Sequence, residues 1–190
     1  MKTITVVYHS GTGHTAKMAD AVAKGAASVA GIQVKMARIE GKDILEGRYQ
    51  NEDLLARLDA SDALIFGSPT YMGGPSAQFK AFADATAERW FGRKWRNKIA
   101  AGFSVSAGPS GDKLNTLEYF AIFAAQHGMI WVGNDLIPYG DPQGRNRLSS
   151  YLGVMGQAGQ EPTDLAPNEA DKLTAEALGR RVAEVLLKLP

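Results

Sequence analysis

Apolar positions along this chain follow two periodicities that alternate from one end to the other. Thr3-Ile4-Thr5-Val6-Val7-Tyr8 is a β-branched run that predicts a first strand over about 3–8. The spacing then becomes helical, with apolar or small residues at Ala16, Met18, Ala19, Val22, Ala23 and Ala26, predicting a helix over about 14–29. Residues 32–39 alternate strictly, as an edge strand with one wet face does. A polar segment from Glu40 leads to a short helix near 51–59 carrying Leu54, Leu55 and Leu58. Ala63-Leu64-Ile65-Phe66-Gly67 is a continuous apolar run of the buried-strand kind. A loop over 68–75 follows, with Pro75 suited to the first turn of a helix that carries Phe79 and Phe82. A fourth strand over 99–105, a helix over about 112–126 and a fifth strand over 129–132 come next. Residues 133–167 read as one long irregular stretch before a last helix over about 168–188; loops of that length are usually functional or mobile.

Strands alternating with helices predict an α/β fold, a doubly wound parallel sheet with helices on both faces, in one domain over residues 1–190. Right-handed crossovers leave few topologies, and five strands with a functional loop after the first point to the order 2-1-3-4-5. In that order the loops after strands one, three and four meet at the carboxyl edge of the sheet. Those are the three loops rich in glycine, serine and threonine.

The first loop, Ser10-Gly11-Thr12-Gly13-His14-Thr15, joins a strand to a helix, the usual architecture of a phosphate cradle. The free N–H groups of the helix's first turn and the positive end of its dipole both favour an anion. It is no Walker loop, because no Lys-Ser or Lys-Thr pair follows its second glycine. It is no dinucleotide fingerprint either, since Ala16 stands where the third glycine belongs. Three hydroxyls, with no Lys or Arg before Lys17, suit a terminal monophosphate ester; an ordinary structural turn is the plain alternative.

The chain has 190 residues, 45% hydrophobic and 22% charged, with a formal net charge of +1. That balance argues against general binding to nucleic acid or to anionic membranes. Without cysteine, disulfides and thiolate chemistry are excluded, and three dispersed histidines make a metal site an unpromising reading. No apolar stretch reaches membrane-spanning length, and a strand that starts within three residues leaves no room for a signal peptide, so a cytoplasmic location is expected. The segment Trp90-Phe91-Gly92-Arg93-Lys94-Trp95-Arg96-Asn97-Lys98 interleaves aromatics and bases. It reads as a lid over a flat substrate or as a subunit interface, and the missing basic excess elsewhere disfavours nucleic acid.

The three loops together resemble the flavodoxin-like FMN proteins, and among them the WrbA-type NAD(P)H:quinone oxidoreductases and multimeric flavodoxins, over nearly the whole chain. The resemblance implies that Ser10 through Thr15 hold the FMN phosphate. Gly67-Ser68-Pro69-Thr70 matches the family's second loop, and Pro69, Thr70, Tyr71, Met72 and Gly73 would border the isoalloxazine. Ser106, Ala107 and Gly108 would reach the other side of the ring and the ribityl chain. His127-Gly128 also matches, which implies a catalytic His127 near the flavin pyrimidine edge; a His capping a helix end is the equally weighted alternative. A Trp at the position of Trp90 faces a neighbouring subunit's flavin in the tetrameric relatives, which makes Trp90 the substrate-site residue. The second loop departs from the family's usual Arg-Phe-Gly-Asn, reading Tyr71-Met72-Gly73-Gly74, and the third contains Pro109.

The expected function is therefore FMN-dependent transfer of two electrons from NADH or NADPH to a quinone-like acceptor. A flavodoxin-type carrier without a substrate site is the alternative, disfavoured because such carriers tend to be strongly acidic. A flavin-free interaction module is the third reading, and the intact first loop argues against it. An exposed cluster of Trp90, Phe91 and Trp95 would need a partner, so a homo-oligomer is expected, a tetramer before a dimer.

Overall fold

The uninterrupted apolar runs occupy the middle of the sheet, as burial on both faces requires. A computed structural model describes residues 1–189. Its elements are β1 (Lys2–Tyr8), α1 (His14–Ala27), β2 (Ile32–Arg38), a small hairpin of β3 (Ile44–Leu45) and β4 (Arg48–Tyr49), and α2 (Glu52–Asp59). There follow β5 (Ala63–Tyr71), β6 (Gly74–Pro75), α3 (Ala77–Asp84), α4 (Ala87–Phe91), β7 (Ile99–Ser106), α5 (Lys113–Gln126), β8 (Ile130–Trp131), β9 (Val154–Gln157) and α6 (Glu169–Lys188).

The parallel sheet runs β2-β1-β5-β7, and its last place is shared. β8 pairs with Ile99 and Ala100 of β7, whereas β9 pairs with Phe103 through Ser106. This is the expected doubly wound order, with the fifth strand broken into two pieces. The chain leaves the sheet after Val132 and returns at Gly153, where a Cβ would stand 2.4 Å from the Gly102 carbonyl oxygen. The returning strand is Val154-Met155-Gly156-Gln157, too short and too poor in apolar mass to show inside a stretch read as irregular.

Period-two alternation sorts the core. Ile4, Val6 and Ile65 face α1 and α6, packing with Met18, Val22, Leu178 and Val182. Val7, Leu64 and Phe66 face the other way, onto Leu54, Leu58, Phe79, Phe82, Phe120 and Phe123. Trp95 lies in this second cluster, fully buried, with its indole N–H donating to Asp59 Oδ1 at 2.7 Å. This corrects the exposed trio expected from the sequence. Trp90 is 49% exposed and Phe91 84%, but Trp95 is core, because the turn after α4 folds it back beneath α5.

The second loop is also more ordered than its composition suggests. β5 continues through Pro69 and Thr70 to Tyr71, and a tight turn at Met72 and Gly73 reverses the chain onto β6. Both turn residues have positive φ, 47° and 80°, as two-residue hairpins favour. Pro75 therefore belongs to the return strand rather than to the helix, and Ser76 caps α3 by accepting from the Phe79 N–H. Among the described residues no helix is long and apolar enough to cross a membrane, and no cluster of three His, Asp or Glu side chains is placed to hold a metal.

α1 and α6 approach through a pair of glycines. A Cβ on Gly25 would lie 1.8 Å from the Glu176 carbonyl oxygen, and one on Gly179 would lie 2.0 Å from that of Val22. Neither neighbour is a flexible side-chain tip, so a methyl group must push the helices apart. Gly179→Ala is expected to lower unfolding free energy by about 1–3 kcal/mol, the usual scale of overpacking, in a denaturant titration. An unchanged midpoint would show that the helices separate freely.

Candidate functional site

The loop after β1 and the carboxyl ends of β5 and β7 converge on one cleft at the carboxyl edge of the sheet. Its volume is about 270 Å³, and its lining includes Thr12, His14 and Thr15 of the first loop, Pro69, Thr70 and Tyr71 of the second, and Ser106 and Ala107 of the third. A fourth side comes from Ala158, Gly159 and Gln160, immediately after β9. That side went unread in the sequence because β9 itself did.

In the first loop Gly13 adopts φ 99°, and a Cβ there would stand 2.9 Å from Thr163 Cγ2. Glycine is thus required both by backbone conformation and by the close approach of the 158–163 segment. Ser10 is buried, and its Oγ accepts from the N–H groups of Gly13 at 3.1 Å and Ala16 at 3.2 Å. These bonds occupy the Gly13 N–H, expected to face a phosphate, and shape the loop, while the Ser10 hydroxyl keeps its own proton for a ligand. His14 Nε2 donates to the Glu161 carbonyl at 2.7 Å, so in the neutral ring Nδ1 accepts from the Thr12 hydroxyl at 2.9 Å. The backbone N–H groups of His14 and Thr15 open the first turn of α1, where intrahelical partners do not exist, and that turn holds no acidic residue. These are the features of an anion site.

One charge escaped the count made along the loop. The β1–β2 register sets Arg38 beside Tyr8, and the Arg38 guanidinium donates to the Ser10 carbonyl at 3.1 Å. A cation therefore stands behind the loop, supplied by the neighbouring strand. Only the strand pairing reveals it.

Under the second loop the hydroxyls form a directed chain. Ser104 Oγ donates to the Ser68 carbonyl at 2.8 Å, so it must accept from Thr70, and Thr70 in turn accepts from Thr116, both at 2.7 Å. Thr70 has no proton left for a ligand. Its side chain holds β5 against β7 and α5, leaving the backbone of Pro69 through Tyr71 to face the cleft. Tyr71 is half exposed at the mouth, and its hydroxyl lies where a Cβ on Gly11 would come within 2.8 Å. Met72 and Gly73 sit beyond it at the hairpin tip, with Met72 fully exposed. Gly108 is turned away from the cleft lining, its carbonyl accepting from Lys113 Nζ at 2.6 Å.

Within one chain the structure does not bring His127 or Trp90 to this cleft. α5 begins at the carboxyl edge and its 14 residues span about 21 Å, which carries His127 to the opposite edge. There His127 and Trp90 line a separate hollow of about 370 Å³ with Lys80, Asp84, Tyr119 and Gln126. The His127 ring packs between Trp95 and Phe123, at centroid distances of 4.5 and 4.9 Å. The Thr86 hydroxyl donates to the Ala83 carbonyl at 2.7 Å, so His127 Nε2–H must donate to Thr86, leaving Nδ1 bare and buried. Burial brings the pKa of this ring down to about 4. The ring is neutral at pH 7 and caps the end of α5, so within one chain the implied place of His127 beside the flavin has no counterpart at this cleft.

The cleft suits FMN on its own chemistry: N–H and hydroxyl donors for a phosphate, a glycine cradle, and two backbone walls for a flat ring. The model of the NADPH-dependent FMN reductase family matches residues 4–139. The chain belongs to that family. Flavodoxin FldP of Pseudomonas aeruginosa is 36% identical over 190 residues, covering 97% of each chain. An NAD(P)H dehydrogenase (quinone) of Archaeoglobus fulgidus is also 36% identical and aligns over the full length of both. A crystal structure of a flavodoxin, WrbA-like protein from Agrobacterium tumefaciens superposes with a TM-score of 0.76 at 42% identity, covering 99% of each chain. The protein is thus a flavodoxin-like FMN protein of the WrbA type, and the fourth side of its cleft lies beyond the stretch matched by the family model.

Two measurements check this account. Thr116→Val removes the donor that starts the hydroxyl chain and is expected to cost about 1 kcal/mol, read as a lower denaturation midpoint. For His127, the unfolded ring protonates near pH 6.5 while the folded ring resists until about 4. Its contribution to stability is complete above pH 6.5 and is lost as pH falls through that window, by roughly 3 kcal/mol in all. His127→Phe should remove this loss, so a wild-type-to-variant difference that stays constant from pH 7.5 to 4 would contradict the neutral buried ring.

Proposed function

We propose that the protein is an FMN-dependent oxidoreductase that passes two electrons from NADH or NADPH to a quinone-like acceptor. The convergence of the three loops on one cleft carries this reading, supported by family membership and by relatives named as quinone-reducing dehydrogenases. The N–H groups of His14 and Thr15 and the Thr15 hydroxyl hold the phosphate, with Arg38 adding positive potential from behind Ser10. The backbones of Pro69–Tyr71 and Ser106–Ala107 flank the ring, and Tyr71 stands at the open mouth. Bound FMN supplies the two-electron chemistry, and the protein supplies orientation and field. Nicotinamide and quinone use the same open face in turn.

The assembly belongs to the same proposal. Trp90 stands half exposed in the hollow at the far edge, so it completes a cleft only when a second copy presents it. Trp90 and Phe91 offer apolar surface for such an interface, and a closed tetramer of D₂ symmetry accommodates it. A specific observation favours a second reading, a flavodoxin-type carrier: the Pseudomonas relative bears the name flavodoxin. The net charge of +1 weighs against it.

Steady-state oxidation of NADH and NADPH with benzoquinone should give parallel-line, ping-pong kinetics. Exchange of electrons with a protein partner and no turnover with any quinone would favour the carrier. Trp90→Ala should raise the quinone KM or lower turnover several-fold, the scale of a lost aromatic contact, with FMN affinity nearly unchanged. Light scattering on both proteins separates a lost contact from a lost assembly, and a wild-type monomer at micromolar concentration with FMN bound would refute the shared site.

A further inference from the structure

Lys113, the first residue of α5, is fully buried. Its ammonium donates to Ser106 Oγ at 2.9 Å, to the Gly108 carbonyl at 2.6 Å and to the Pro109 carbonyl at 3.1 Å. All three acceptors are neutral, and they span the third loop. That loop doubles back to reach the ammonium through two consecutive residues of positive φ, Gly111 and Asp112, each at 52°. A Cβ on Gly111 would strike Ser106 Oγ at 2.0 Å, so the wrap is tight.

Apart from these three oxygens and the more distant Asp171 carboxylate, the surroundings oppose a positive charge here. The site is closed to solvent, the helix dipole is positive at this end, and the first turn of α5 holds no acidic residue. Among the described residues no carboxylate lies within ion-pair distance of Lys113. The charged groups that face it are Asp171 of α6 and Arg147 of the excursion between β8 and β9. Arg147 holds Asp171 with two donors at 2.8 and 2.9 Å, so that carboxylate is already matched. Two cations against one carboxylate leave a net positive charge behind the third loop. Burial brings Lys113 down to about 8, with Arg147 acting in the same direction and Asp171 against it.

Ser106, one of the three acceptors, lines the cleft. The charge therefore acts on whatever occupies the cleft, through a wall one side chain thick. We propose that Lys113 is a positioning residue of the flavin site that also sets its potential: its ammonium gathers Ser106, Gly108 and Pro109 into the cleft wall and holds an uncompensated positive charge behind it, which favours reduced FMN over oxidised FMN. Hydride transfer brings two electrons and one proton and leaves the flavin ring with one added negative charge, so a fixed cation in a low-dielectric wall stabilises the reduced state more than the oxidised one. A lysine that merely braced the loop would affect both states equally.

The inference rests on FMN occupying this cleft, so titration of the wild-type protein with FMN comes first. Absence of binding overturns the functional reading and this inference with it. With binding established, the two-electron midpoint potential is measured for wild type, Lys113→Gln and Lys113→Arg, alongside the affinity for oxidised FMN. Lys113→Gln is expected to lower the reduced-to-oxidised affinity ratio about tenfold, a fall of about 30 mV for a two-electron couple. Lys113→Arg keeps the charge and should stay near the wild-type potential. Weaker FMN binding at an unchanged potential would overturn the proposal while leaving the functional reading intact. Should Lys113→Gln fail to fold, the wild-type holoprotein decides. Its potential, taken relative to free FMN in the same buffer, should fall as pH rises above about 8 and the ammonium loses its proton. A flat difference from pH 7 to 10 would overturn the proposal.

Discussion

The approach of α1 to α6 governs the site more than any contact inside it. Gly25 and Gly179 let each helix's backbone rest against the other's carbonyl groups. The axis of α1 is thereby fixed, and α1 opens with the two N–H groups that face the cleft. α6 follows the segment that closes over Gly13, and the His14 bond to the Glu161 carbonyl ties that segment down. The paired glycine contacts and the His14 bond thus set the position and the cover of the anion site together, while the sheet beneath fixes the other two loops. Interiors packed this closely pass a displacement on rather than absorbing it.

The polar groups around the cleft divide by task. Thr70, Ser104 and Thr116 spend their hydroxyl protons on the chain itself, and Ser10 Oγ accepts two loop N–H groups, holding the loops in shape. Backbone groups are left to face the ligand. Positive charge arrives from outside the loops, as Arg38 behind the first and Lys113 behind the third. Such an arrangement suits a cofactor that brings its own reactivity and asks for orientation and field rather than for a general acid or base.

Much of this was legible in the chain. The switch between two-residue and 3.6-residue periods located every major strand and helix, and loop composition singled out the three loops that meet. What escaped depended on distance in sequence. β9 is a short run whose pairing with β7 comes from register and not from hydrophobic weight. Arg38 is brought to the first loop by strand pairing, and Lys113 looks like an ordinary helix-surface lysine until the loop wraps it. Trp95 shares its segment with Trp90 and Phe91, and nothing local distinguishes the buried indole from the exposed rings. For His127 the resemblance implied a flavin neighbour, whereas within one chain the βα unit returns the helix end to the far edge of the sheet. That constraint could have been applied from topology alone.

The link between His14 and Glu161 spans 147 positions of sequence. During synthesis the first loop leaves the ribosome early, yet α6, which steadies α1, and the segment that covers Gly13 are made much later. Domains that close on contacts of such separation complete only after those partners have emerged. The anion site is therefore complete only after the segment around Glu161 and α6 has been made, and its last wall is among the last parts of the chain to emerge.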